Sequence, residues 1–173
     1  MRVRPATPED AAELGRALKI VVDEKRWLGL QPPVTAAELA EGFRTRLDEG
    51  RRLLALEDDV APDGPGPLIG LIDLHPTRTA GVDSIGMWIL PGHRGRGGGR
   101  MLLDAAIEAR SPDAHKIELE VWPHNEAAIA LYERAGFQRE GLRRDHYRRR
   151  DGRLHSSVIM ARLFPDAPSP SSQ

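Results

Sequence analysis

The chain has 173 residues, a formal net charge of −1, 40% hydrophobic and 29% charged residues, and no cysteine. That is enough length and apolar content for a globular protein with a sizeable core, while the balanced charge argues against dedicated nucleic-acid binding. No disulfide or thiol nucleophile is possible, the histidines lack metal-ligand spacing, and neither a signal-peptide core nor a run of about 18 apolar residues occurs, so a soluble, cytoplasmic chain without metal or membrane contact is expected.

Residues 2–6 form a short strand candidate. Thr7-Pro8-Glu9-Asp10 reads as a helix start, with Thr7 as N-cap and Pro8 in the first turn, and Ala11, Leu14, Leu18 and Val21 or Val22 follow near a 3.6 period. A loop carrying Trp27 and Leu28 leads to Thr35-Ala36-Ala37-Glu38, a capping-box pattern that opens a second helix through Leu39, Phe43 and Leu47. Arg51 to Asp59 and Leu68 to Leu74 are the two strands of a hairpin around the Gly- and Pro-rich turn Asp63 to Pro67.

A third strand in this series, residues 82–90, ends at Pro91, which has no amide to donate to a ladder. Then come Gly92, His93 and the run Arg94-Gly95-Arg96-Gly97-Gly98-Gly99-Arg100, after which Leu102 over Ala106 and Leu103 over Ile107 set a helical period. Strand, glycine loop and helix start bring free first-turn amides together on an anion, assisted by the helix dipole. Glycine lets a diphosphate approach the main chain closely, and His93, Arg94, Arg96 and Arg100 raise the local potential. The spacing fits neither a P-loop, since no Gly precedes a Lys, nor the dinucleotide fingerprint from Gly95, which needs a glycine where Arg100 stands.

Beyond a stop at Ser111-Pro112-Asp113, His115 to Trp122 alternates Ile117, Leu119 and Val121 against Glu118, Glu120 and Trp122. Asn125 is an N-cap type opening another helix, with Ala128, Leu131, Tyr132 and Ala135 on one stripe, and Gly136 is a left-handed stop. Phe137 to Phe164 reads as two strands turning at Arg150-Asp151-Gly152, and Pro165 to Gln173 as a disordered tail.

Two stretches carry a resemblance. Arg94-x-x-Gly97-x-Gly99 resembles the acetyl-coenzyme A loop of the GNAT superfamily of N-acetyltransferases, and Asn125-x-x-Ala128-x-x-Leu131-Tyr132-x-x-x-Gly136-Phe137 resembles its second cofactor motif. Their order and separation match the family, and Glu118 to Val121, Gly136 to Gly141, Tyr147 to Gly152 and Val158 to Leu163 resemble most its bacterial members acting on amino acids and other small amines. The resemblance covers roughly residues 2 to 164 and implies a single domain over 1–164. The implied α/β (α+β) fold is a mixed, mostly antiparallel sheet of about seven strands with about four helices on both faces.

The resemblance also implies roles. Acetyl-CoA is the co-substrate: backbone groups of Trp88, Ile89 and Leu90 pair with its pantetheine arm, and Arg94, Gly95, Arg96, Gly97, Gly98, Gly99 and Arg100 hold its diphosphate. Asn125 and Ala128 belong to the cofactor motif, and Tyr132 has its hydroxyl near the sulfur as general acid, a phenol of pKa about 10 serving a thiol of about 8.5. Glu120 is the candidate base, while Asp83 and Ser84 lie where other members place a glutamate. Trp27 and Leu28 resemble the substrate-side wall. Independently of the resemblance, the two-residue period of the basic run Arg143 to Arg150 favours solvated hairpin faces or part of a dimer surface over attraction of an acidic partner. The expected activity is transfer of an acetyl group to a small primary amine. The alternatives are a protein N-terminus or lysine as acceptor, or a non-catalytic acetyl-CoA sensor, which the presence of Tyr132 disfavours.

Overall fold

The computed structural model describes residues 1–58 and 66–165. The turn expected at Asp63-Gly64-Pro65 and the tail 166–173 lie outside the described residues. The elements run β1 (Arg2–Pro5), α1 (Ala11–Asp23), α2 (Ala36–Asp48), β2 (Arg52–Glu57), β3 (Leu68–Pro76), β4 (Val82–Ile89), α3 (Gly98–Glu108), β5 (Lys116–Val121), α4 (Glu126–Arg134), β6 (Gln138–Arg148) and β7 (Leu154–Leu163). The strands form one seven-stranded sheet in the order β1-β2-β3-β4-β5-β7-β6. It is mixed, since β4 and β5 pair parallel whereas β1–β2, β5–β7 and β6–β7 are antiparallel. By its contacts the chain divides into two compact units: Met1–Asp73 with Met87–Ala106, and Leu74–Gly86 with the chain from Ile107 onward.

In the first unit, local chemistry sets the helix starts. After Thr7 the chain makes one 3-10 turn, Pro8–Asp10, before α1 begins, which shifts the expected helix start by a turn. The reason is Asp10, whose carboxylate accepts the Thr7 N–H at 2.8 Å and pairs with Arg4 of β1 at 2.6 Å. At α2 the capping box forms fully: Glu38 N donates to Thr35 Oγ1 at 3.1 Å, and Thr35 N to Glu38 Oε2 at 2.7 Å. Leu14, Leu18, Val21 and Val22 of α1 join Leu39 and Phe43 of α2, Leu53 and Ala55 of β2, and Trp88 of β4 in the core. Gly15 sets the approach of the two helices, since a Cβ there would lie 2.4 Å from the Ala36 carbonyl oxygen. Phe43 has no exposed surface, so its truncation to Ala costs about 3–5 kcal/mol.

Beside this core, the carboxylate of Glu57 is fully buried. Arg2 donates to it at 2.6 Å, and Arg4 bridges it to Asp10. Burial by itself raises the Glu57 carboxyl, but the hydrogen bonds from Arg4 and Arg2 outweigh it and leave the group below the usual carboxylate range. Asp10 is likewise lowered, chiefly by its hydrogen bond from Arg4.

In the second unit, buried Asp83 ties β4 to the turn before β5, accepting from Ser111 N at 2.8 Å and Ser111 Oγ at 2.9 Å. β5 alternates as expected, with Ile117, Leu119 and Val121 buried. Trp122 departs from that alternation: it lies just past β5 and is buried. The α4 stripe also differs, because Ile129 and Tyr132 are the buried pair while Ala128 and Leu131 flank them half-buried. Positions i and i+3 on a nine-residue helix select Ile129 over its smaller neighbour for the core. Gly136 ends α4 with φ +86°, a conformation that costs any residue with a Cβ, and Phe137 then drops into the core. The turn between β6 and β7 closes with Arg149 N on the Arg153 carbonyl at 2.8 Å.

Candidate active site

Gly92, Gly95 and Gly97 have φ of +83°, +75° and +91°, and nothing stands within 4 Å of where their Cβ atoms would be. The loop therefore coils with its main chain uncovered. Its amides are spent internally only at the edges: His93 N donates to Leu90 O, and Arg100 N and Met101 N to Gly97 O. From Gly95 to Gly99 the amides make no hydrogen bond among the described residues. They form a run of open donors at the N-terminus of α3, the arrangement that binds an anion. Gly98 is the exception in exposure, since a Cβ on it would meet Leu56 Cδ2 at 2.5 Å.

The loop arginines are each engaged by a carboxylate. Arg94 donates to Glu24 through both terminal nitrogens, at 2.9 and 2.5 Å, and through Nε to the Ile89 carbonyl at 2.9 Å. Arg96 pairs with Asp58 at 3.3 Å, His93 Nδ1 lies 3.2 Å from the same carboxylate, and Arg100 pairs with Asp104 one turn along α3 at 2.7 Å. Arg94 is thus a clamp that fixes the loop to β4 and to the end of α1. Glu24 is held below its ordinary range, mainly by the hydrogen bond from Arg94.

Trp27 follows directly: the Arg94 guanidinium stands 5.6 Å from its ring centroid and Arg26 4.4 Å. Leu28 is half-buried against the core of the first unit. Trp88 is buried as a core side chain, and Leu90 N is used by the Ile69 carbonyl at 2.8 Å. β4 pairs with β5 over Val82 to Ser84.

Tyr132 is buried, its ring 5.9 Å from that of Phe137. Its hydroxyl makes no hydrogen bond among the described residues, and burial pushes its pKa up to about 12. A phenol in that state is neutral and holds a proton it can give. Asn125 Oδ1 caps α4 by accepting from Ala128 N at 3.3 Å, and its side-chain NH2 makes no hydrogen bond among the described residues.

Glu120 gathers partners from both neighbouring strands. Tyr147 Oη and Ser157 Oγ donate to its Oε2 at 2.7 and 2.6 Å, and Arg143 to Oε1 at 2.8 Å. Burial raises the Tyr147 hydroxyl, and its hydrogen bond to Glu120 raises it further. Trp122 lies edge-on to Tyr147 at 5.2 Å and to His155 at 5.6 Å. Asp83, by contrast, has both oxygens committed to Ser111 and serves as a tether. Ser84 stands opposite Glu118 in the β4–β5 ladder.

The profile of the acetyltransferase (GNAT) family matches residues 17–137, more than half of the chain. The chain belongs to the GNAT acetyltransferase family. It is 44% identical over 71 residues to the N-alpha-acetyltransferase RimI of Mycobacterium tuberculosis, an alignment covering 41% of this chain and 39% of that protein. It is 34% identical over 125 residues to the mycothiol acetyltransferase of Beutenbergia cavernae, covering 66% and 41%. The chain thus spans about two fifths of the length of these relatives. In fold it is similar to yncA from Salmonella typhimurium, a putative acetyltransferase solved with acetyl-CoA, with a TM-score of 0.82 at 20% identity over 100% and 99% of the two chains.

Within this GNAT chain, sequence reasoning singled out the glycine loop, Tyr132 and Glu120 but missed most of what surrounds them. Asp104 was detectable from its i,i+4 spacing to Arg100. Glu24 is 70 residues from Arg94 and Asp58 is 38 from Arg96, so no local signal marks either. The partners Tyr147, Ser157 and Arg143 of Glu120 depend on strand register. Among the described residues no group of three or more metal-ligating side chains comes together, and no helix is long and apolar enough to cross a membrane.

Proposed function

We propose that the protein transfers the acetyl group of acetyl-CoA to a primary amine. The observation that carries this is the run of open amides from Gly95 to Gly99 at the start of α3, a ready site for the coenzyme's diphosphate. The pantetheine arm runs beside the backbone of Trp88, Ile89 and Leu90, and the Asn125 amide group contacts it. The amine nitrogen attacks the thioester carbonyl carbon, the carbon–sulfur bond breaks, and the departing thiolate takes the Tyr132 proton. Glu120 accepts the proton that the amine loses. Family membership and the neutral state of buried Tyr132 support this assignment.

A small amine such as an amino acid is the acceptor, with Trp27 and Leu28 on its side of the site. The similarity to RimI favours a second acceptor, the N-terminus of a protein. Thiol release from acetyl-CoA, followed across a panel of free amino acids, polyamines and short peptides, tests both. Turnover with free amines supports the first, turnover with peptides alone the second, and no turnover with any amine contradicts acetyl transfer.

A further inference from the structure

Glu120, Arg143, Tyr147 and Ser157 meet because three strands are in register. In the β5–β7 ladder Glu120 stands opposite Ile159, and Ser157 lies two residues along β7 on the same face. In the β6–β7 ladder Arg143 faces Ser157 and Tyr147 faces His155, so both side chains share that face. Between those two pairs β6 carries four steps against two on β7, an irregularity at which Asp145 takes φ +50° and donates its N–H to Ser156 Oγ at 2.9 Å. A bulge of this kind re-aims the strand and is retained where it presents a side chain.

The four contacts divide the carboxylate in two. Oε2 takes both hydroxyl donors, from buried Ser157 and half-buried Tyr147. Oε1 takes only the Arg143 guanidinium, whose side chain is 45% exposed. A serine hydroxyl buried in a sheet forms its hydrogen bond at little entropic cost, so it holds a partner more firmly than an exposed arginine does.

We propose that Tyr147 and Ser157 are positioning residues for the reaction. They lock the Glu120 carboxylate through Oε2 so that Oε1, once the exposed Arg143 gives way, is presented to the acceptor amine. This rests on Glu120 being the group that takes the amine's proton. The two hydroxyls act through Glu120 and contact neither substrate.

The test is a double-mutant cycle on the full chain with an amine that turns over, reading kcat, both KM values and thermal unfolding. Glu120→Gln lowers kcat at least tenfold. Tyr147→Phe and Ser157→Ala each lower kcat several-fold with the KM for acetyl-CoA and the unfolding midpoint unchanged, and Ser157→Thr, which keeps a hydroxyl, restores most of the rate. In the Glu120→Gln background neither substitution has a further effect on kcat. If Glu120→Gln retains full turnover, the assignment of Glu120 as proton acceptor fails and the inference falls with it. If Glu120→Gln is slow but Tyr147→Phe and Ser157→Ala turn over normally, or lower kcat equally in both backgrounds, the positioning role alone is overturned.

Discussion

Arg94 and Glu24 form a two-pronged ion pair, with nitrogen–oxygen distances of 2.9 and 2.5 Å, that ties the glycine loop to the end of α1. This pairing supports a role for Arg94 in shaping the loop, with the diphosphate met by the main chain. If so, removing the carboxylate harms binding: Glu24→Gln weakens acetyl-CoA several-fold in calorimetry, because the loop loses its clamp. If Arg94 instead met the phosphates directly and Glu24 merely competed for it, the same substitution would tighten binding.

Tyr132 is buried and its pKa is pushed up to about 12, so the phenol remains protonated throughout the neutral and moderately alkaline range. Tyr132→Phe removes the proton and little else. Turnover falls at least tenfold while the dissociation constant for acetyl-CoA stays within a few-fold. Wild-type turnover therefore shows no loss attributable to this group up to about pH 10, below its pKa. Unchanged turnover in the Phe variant would remove Tyr132 from the chemistry.

The Asp10–Arg4–Glu57–Arg2 network makes a statement about acid. Both carboxyls are lowered in the folded state, so their contribution is present above the unfolded values near 4 and is lost as pH falls through the folded ones. Thermal unfolding between pH 7 and 3 follows that loss. Glu57→Gln starts about 2 kcal/mol less stable at pH 7, because Arg4 and Arg2 lose a charged partner, yet it declines less steeply in acid. Parallel curves for the two proteins would contradict the role given to Glu57.

Arg143 lies on the oxygen of Glu120 left open by Tyr147 and Ser157, and it carries the same charge as an incoming ammonium. Arg143→Gln removes that competition and lowers the KM for the amine a few-fold at low ionic strength, with the KM for acetyl-CoA unaltered. A raised amine KM would instead make Arg143 a binding group for the acceptor.

The element order was legible in the sequence because its punctuation is local. The Thr35–Glu38 box, Pro91, Gly136 and Asp151-Gly152 each act through the backbone within a few residues, and all mark boundaries in the structure. The 3.6 period on α4 was legible too, but two adjacent stripes satisfied it, and packing chose Ile129. What could not be read depends on register. Trp122 is buried beneath Tyr147 and His155 because β5, β7 and β6 align as they do, and the bulge at Asp145 carries no glycine to announce it. The same holds for the loop: its open amides follow from glycine spacing, whereas the carboxylates on Arg94 and Arg96 come from distant segments.

Backbone amide resonances followed by nitrogen–proton NMR during an acetyl-CoA titration test the diphosphate site most directly. Donation to phosphate oxygens predicts that the largest downfield shifts fall on Gly95, Arg96, Gly97, Gly98 and Gly99, and that they persist with coenzyme A lacking the acetyl group. Saturation by the coenzyme with those five amides unmoved would contradict the account.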